Sequence, residues 1–134
     1  MNDRQKRATS SDAVCNPKTF STLPKSLDYR NKDSYNYVTS VKNQFNCGNC
    51  WAFATTAAIE SQYLIKTGKS VTKTNVDLSE QDLLNCVQPN GCSGVSIDKS
   101  LEFVKLNGLA REASVPYTAK VIIILLNTST KSKI

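Results

Sequence analysis

Two cysteines three residues apart, Cys47 and Cys50, are the side chains most able to do chemistry here, and an apolar run beginning Trp51-Ala52-Phe53-Ala54 follows the second. A thiolate is the nucleophile and the metal ligand, whereas a free thiol is mostly protonated at neutral pH. A Cys in the first turn of a helix is favoured as the anion, because unpaired backbone N–H groups and the helix dipole stabilise negative charge there. Three chemistries use such a Cys-x-x-Cys pair: covalent nucleophilic catalysis, thiol–disulfide exchange, and half of a zinc site. A chemically inert core thiol is the bland alternative. A redox pair should follow a buried strand in a βαβ unit, and residues 35–45 do not read as one. A zinc site needs a second paired ligand set, but Cys86 and Cys92 have five residues between them and the chain contains no His. No metal and no cofactor is expected.

The elements that must position these cysteines are legible as periodicity and caps. Asn49 is placed as an N-cap, and Trp51, Phe53, Ala54, Ala57, Ala58, Tyr63, Leu64 and Ile65 recur at helical spacing up to a stop at Gly68. Ser79-Glu80-Gln81-Asp82 resembles a capping box and opens a short helix through Leu83, Leu84 and Val87. Ile97, Leu101, Phe103, Val104 and Leu106 give a third helix, ended by Gly108, and Asn90-Gly91 is a turn. Leu23 to Arg30, with Pro24 and spaced Leu residues, fits an extended segment laid on a surface.

The motif around the pair carries a family resemblance. Gln44-Phe45-Asn46-Cys47-Gly48-Asn49-Cys50-Trp51 is similar to the active-site segment of papain-family cysteine proteases, C-G-[SA]-C-[WY], with Asn49 in place of the small residue. Leu78-Ser79-Glu80-Gln81-Asp82-Leu83-Leu84-Asn85-Cys86 and Gly91-Cys92-Ser93-Gly94 resemble a second stretch of that family, and Leu23 to Arg30 resembles the opening of its mature domain. Cys15, the compact Cys86-to-Cys92 spacing and Leu101 to Gly108 are closest in texture to mite group 1 allergens.

The resemblance implies an α+β papain-like fold, of which residues 23–119 form the mainly helical left lobe without the β-rich right lobe. It implies Cys50 as nucleophile and Gln44, with the Cys50 N–H, as oxyanion hole; losing one such donor typically costs about a hundredfold or more in rate. It implies a Cys47–Cys92 disulfide, and leaves Cys15 and Cys86 as half-cystines whose expected partners lie further along the family's chain. Gly94 would lie where the backbone binds an extended substrate, with Ser96 and Ile97 bordering the side-chain pockets; Val95 stands where the family has a second Gly, and is expected to crowd that wall. Substrates would be proteins or peptides, and cysteine-protease inhibitors are possible partners.

Composition bounds the alternatives. The net charge of +6 sits in the ends: residues 23–119 carry ten Lys and Arg against nine Asp and Glu, leaving +1. Basic tails on a near-neutral body, with no aromatic-interleaved basic patch, argue against nucleic acid. The longest apolar run, Val121 to Leu126, is far too short to cross a membrane. Five Cys favour an oxidising compartment, extracellular or lysosomal for this family. Residues 1–20 carry no apolar h-region, so no signal peptide is expected in the chain as written.

Residues 1–22 read as a flexible propeptide remnant with a few mature residues, and 120–134 as an aberrant apolar and polar tail. Only 84 residues follow Cys50, whereas the family's His lies about 130 or more downstream. The expectation is a cysteine endopeptidase represented by an incomplete chain that is inactive alone. A non-catalytic homologue acting as a binding protein is the alternative, and a thiol oxidoreductase the third reading.

Overall fold

The computed structural model describes residues 24–122 and the backbone of residues 131 and 132, and among these described residues it has three α-helices and one short ladder. Helix α1 runs Cys50–Thr67, α2 Glu80–Cys86 and α3 Ile97–Asn107. Turns of 3-10 helix at Tyr29–Asn31 and Gly91–Ser93 lie before α1 and between α2 and α3. Strand β1, Leu109–Ala110, pairs antiparallel with β2, Lys131–Ser132, with Leu109 opposite Ser132 and Ala110 opposite Lys131. The fold is mainly helical with few strands, as expected of a papain-like left lobe.

Each helix stops for a local reason. Gly68 takes a left-handed φ of 63°, and its N–H reaches Ile65 O at 3.2 Å while Lys69 N reaches Leu64 O at 3.0 Å. That pair of bonds satisfies the last carbonyls of α1 as a Schellman motif. Ser79 caps α2 by accepting from the Asp82 N–H at 3.0 Å, and Ser96 caps α3 by accepting from the Lys99 N–H at 3.4 Å. Gly108 ends α3, its N–H bonding Val104 O at 2.8 Å.

Trp51, Ala52, Leu83, Leu84, Leu78, Leu109 and Cys47 form the main core, with Phe103, Val104 and Val121 packed on its margin. A smaller cluster of Tyr37, Leu64 and Val76 lies toward the far end of α1. Where α1 meets α3 the buried pair is polar and small: the Thr55 and Ser100 hydroxyls lie 2.6 Å apart. Strand β1 is tied to the start of α2, because Ser79 N donates to Ala110 O at 3.0 Å and Ala110 N donates to Asp82 Oδ2 at 3.0 Å.

Three local expectations are refined. The segment after Pro24 is extended only as far as Asp28, whose side chain accepts from the Arg30 N–H and turns the chain into the 3-10 helix. The same carboxylate pairs with the Arg30 guanidinium, which holds its pKa down at about 2. Asn49 occupies the N-cap position of α1, but its side chain makes no capping bond. Residues 118–122 lie along α2: Thr118 N donates to Gln81 Oε1, Gln81 Nε2 to Lys120 O, and Ile122 N to Asn85 Oδ1. Cys15, the leader 1–22 and the rest of the apolar run at 123–126 lie outside the described residues.

Candidate active site

The loop before α1 folds back on itself to bring Gln44 beside the helix start. Phe45 takes a left-handed φ of 49°, and its N–H is held by Asn43 Oδ1 at 2.8 Å. The turn lets Gln44 Nε2 donate to Cys47 O at 2.8 Å. One amide hydrogen is thereby spent on fixing the side chain, and the second remains to offer to a ligand. Cys47 is buried and disulfide-bonded to Cys92, while Gly48 N donates to Cys92 O at 3.0 Å. Trp51, the first buried residue of the helix, adds a third link by donating Nε1–H to Gly91 O at 2.9 Å. Covalent, backbone and side-chain bonds therefore lock the loop to the 91–94 turn.

Cys50 opens α1 with an exposed thiol. Ala52 N and Phe53 N both turn to Asn49 O, whereas the N–H groups of Cys50 and Trp51 have no acceptor within the helix, as at any helix start. An exposed thiol, a backbone donor with no acceptor in the helix and an anchored amide thus share one short segment. The pairing also means that Cys47 and Cys50 are not bonded to each other in this structure.

The expected substrate-wall residues fall on the other side of that disulfide. Gly94 is exposed with φ of 95°, and a Cβ there would meet nothing within 4 Å. Val95 is half-buried and packs against the main core, Ser96 spends its hydroxyl on capping α3, and Ile97 is exposed. Cys86, at the end of α2, lies 3.5 Å from Asp82 Oδ1. Among the described residues no group of His, Cys, Asp and Glu is placed to hold a metal ion.

Tyr117 is a contributor that sequence reading passed over. Its hydroxyl lies 2.9 Å from Gln44 O and 2.8 Å from Asn49 Oδ1, and its ring stands edge-on to Phe53 at 5.0 Å and parallel to Phe45 at 6.5 Å. Burial pushes the phenol pKa up, against the pull of the Asn49 contact, so the hydroxyl keeps its proton. The only signal in the sequence was an aromatic after Pro116, which says nothing of a partner 68 positions earlier.

Behind the site lies a second missed feature, a carboxylate group around one lysine. Lys42 Nζ pairs with Asp77 at 2.7 Å and with Glu80 at 3.0 Å. Burial pulls its pKa down, but these ion pairs outweigh it and hold the ammonium above its usual value. Glu60 accepts from the Thr39 hydroxyl and from Leu78 N, each at 2.6 Å; burial nonetheless pushes its pKa up. Thr56 donates to Glu80 at 2.6 Å. These groups underlie an open apolar face that carries Val38, Val41 and Phe53, with Val41 fully exposed.

Residues 23–132 match the family model described as papain family cysteine protease. The chain belongs to the papain family. It is 48% identical to human cathepsin L2 over 104 residues, which are 75% of this chain and 29% of that protein. Peptidase 1 of Psoroptes ovis, a mite group 1 peptidase, is 40% identical over 98 residues, 73% of this chain and 28% of the relative. Among solved structures, bromelain from Ananas comosus in complex with the E64 inhibitor is 44% identical with a TM-score of 0.64, covering 74% of this chain and 43% of that one. Digestive procathepsin L2 from Tenebrio molitor larval midgut is 30% identical with a TM-score of 0.71, covering 98% of this chain and 38% of that one. The chain spans under a third of the length of these curated relatives. No helix among the described residues is long and apolar enough to cross a membrane.

Proposed function

We propose that this chain carries the nucleophile and oxyanion side of a cysteine endopeptidase site, in which Cys50 attacks a peptide carbonyl and is acylated. The observation that carries the reading is the exposed Cys50 thiol at the start of α1, beside a Gln44 amide fixed on Cys47 O. As sulfur bonds to carbon, the carbonyl oxygen becomes an oxyanion; the second Gln44 N–H and the Cys50 N–H are the donors suited to it. The amine leaves with a proton, and water then releases the acid from the thioester. Gly94 offers unobstructed backbone to an extended peptide, and Ile97 an apolar border. Protein and peptide substrates, cysteine-protease inhibitors, and an extracellular or lysosomal setting follow from the same reading.

Proton transfer to the leaving amine needs a general acid, which His supplies in this chemistry, and these 134 residues contain none. We infer that the polypeptide alone does not turn over peptides, an observation that equally favours a non-catalytic binding homologue as the second reading. A fluorogenic peptide assay on the 134-residue chain, with Cys50→Ala alongside, is expected to show no turnover in either. Turnover abolished by Cys50→Ala would overturn the inactivity inference and give the acid–base role to another group. To separate the two readings, a peptide aldehyde is added: reversible addition at Cys50 supports the nucleophile role, and peptide binding that survives Cys50→Ala supports the binding protein.

A further inference from the structure

We propose that Tyr117 and Asn49 form a positioning clamp that sets the Gln44 amide against the Cys50 N–H; the idea rests on the endopeptidase reading above. Three observations carry it. Asn49 directly precedes the nucleophile and is fully buried, yet its side chain does not cap the helix it adjoins. The Tyr117 hydroxyl is the shared neighbour of Asn49 Oδ1 at 2.8 Å and Gln44 O at 2.9 Å. Phe53 and Phe45 brace the Tyr117 ring on two sides. One phenol therefore joins the main chain of the oxyanion-donor residue to the side chain beside the nucleophile, across 73 and 68 positions of sequence.

The proton count sharpens the arrangement. A phenol has one proton, so Tyr117 donates to Gln44 O or to Asn49 Oδ1, not to both. With the Asn49 oxygen toward Tyr117, Asn49 Nδ2 is buried without a hydrogen-bond partner, a state that ordinarily costs about 1–3 kcal/mol. Turning the amide over gives every donor an acceptor, with Nδ2 donating to the Tyr117 oxygen and Tyr117 to Gln44 O, and leaves the amide oxygen as the unpaired atom in place of the amide hydrogens. In that state Asn49, Tyr117 and Gln44 form a directed chain, which a Ser or Ala before the nucleophile could not reproduce at the same reach. Asn49, the departure from the family motif, thereby acquires a role.

The role is positioning, since neither side chain is placed to touch the reacting atoms. It is tested on the 134-residue chain with two probes of Cys50. Acetyl-phenylalanyl-glycinal, isotopically labelled at its aldehyde carbon, adds reversibly: the S–H adds across C=O, sulfur bonds to carbon, and the thiol proton passes to the oxygen. The new hemithioacetal oxygen sits where the oxyanion donors converge, and its signal gives a Kd by NMR. Iodoacetamide alkylates the same sulfur with loss of iodide and creates no such oxygen.

Tyr117→Phe, which removes only the hydroxyl, is expected to weaken aldehyde binding by about tenfold, the scale of one lost hydrogen bond, while the alkylation rate stays within about twofold. Asn49→Ala should weaken aldehyde binding similarly, and Asn49→Gln should restore part of it. Unchanged aldehyde binding in Tyr117→Phe overturns the clamp, as does an equal loss in both probes, which marks a purely structural effect. Failure of the unmodified chain to add the aldehyde at Cys50 overturns the endopeptidase reading itself, and the clamp with it.

Discussion

Gly48 approaches Cys92 so closely that its N–H bonds the Cys92 carbonyl at 3.0 Å, and a Cβ on Gly48 would collide with that same oxygen. The obstacle is backbone, so it cannot rotate aside as a side chain would. The Gly between the two cysteines of the motif is thus required by the meeting of two loops. Its φ is not in the left-handed region, so conformational freedom is not the reason.

Gly48→Ala is therefore expected to destabilise the lobe by about 2 kcal/mol or more, since overpacking and a lost backbone bond act together. It should also loosen Gln44 and Cys50, which the same loop carries. Urea unfolding measures the first effect and the hemithioacetal Kd of the aldehyde probe the second. Wild-type values in both would show that the loops separate at no cost.

The Cys47–Cys92 bond closes a loop with a sequence separation of 45. Chain-entropy reasoning gives about 4 kcal/mol for a loop of that size, with engineered and native cases commonly nearer 2–4. Replacing both residues by Ala should lower stability by that amount and leave the Cys50 thiol accessible. Non-reducing peptide mapping is expected to recover a Cys47–Cys92 peptide; a dominant Cys47–Cys50 product would replace the protease reading with a redox one.

Local signals served the sequence reading well, and non-local polar contacts were invisible to it. The helices ending at Gly68 and Gly108 and beginning after Ser79 were legible because caps and stops act within a turn. The Gln44-to-Cys50 segment was legible as a family resemblance, while its geometry combines the local Gln44 Nε2–Cys47 O bond with ties to Gly91 and Cys92 that lie 40 to 45 positions away. Asn49 was read as a capping side chain because that is the local option; Tyr117, brought in from beyond α3, offers a different partner. Nothing near Glu60 in sequence announced that it would be buried between Thr39 and Leu78 N, at separations of 21 and 18 residues. The β1–β2 pairing was equally hidden, since two-residue strands have no period to read.

Glu60 gives a pH dependence whose sign can be worked out. Burial raises its folded pKa above the usual carboxylate value, against the Thr39, Leu78 and Lys42 interactions that lower it, while Glu80 reinforces the rise. A raised folded pKa means that the folded state holds the proton more tightly than the unfolded one. Its stabilising contribution is then full below the unfolded value of about 4.3 and is lost as pH rises through the higher folded value. Glu112 shifts in the same direction through burial. Glu60→Gln should keep the Leu78 N–H bond on its one oxygen and donate Nε2–H to the Thr39 hydroxyl oxygen in place of accepting from it, while removing the titration. Urea midpoints across mildly acid to neutral pH should fall less steeply in Glu60→Gln than in wild type; parallel curves would refute the assignment.

Phe45 provides a test with an inverted sign. It holds φ of 49° although it is not Gly, and its exposed ring stacks on Tyr117 at 6.5 Å. At an ordinary exposed loop position, Gly is less stable than Ala by about 0.4–1 kcal/mol, because it leaves the unfolded chain more freedom. At Phe45 the left-handed backbone reverses the order. Both Phe45→Ala and Phe45→Gly lose the ring contact, but only Gly escapes the left-handed strain, which is of order 1–2 kcal/mol for a residue bearing a Cβ. Phe45→Gly is accordingly expected to be more stable than Phe45→Ala by up to about 1 kcal/mol, read from paired urea midpoints. Should Ala prove the more stable, the loop does not hold Phe45 left-handed in solution, and the turn that aims Gln44 at Cys47 O must be made another way.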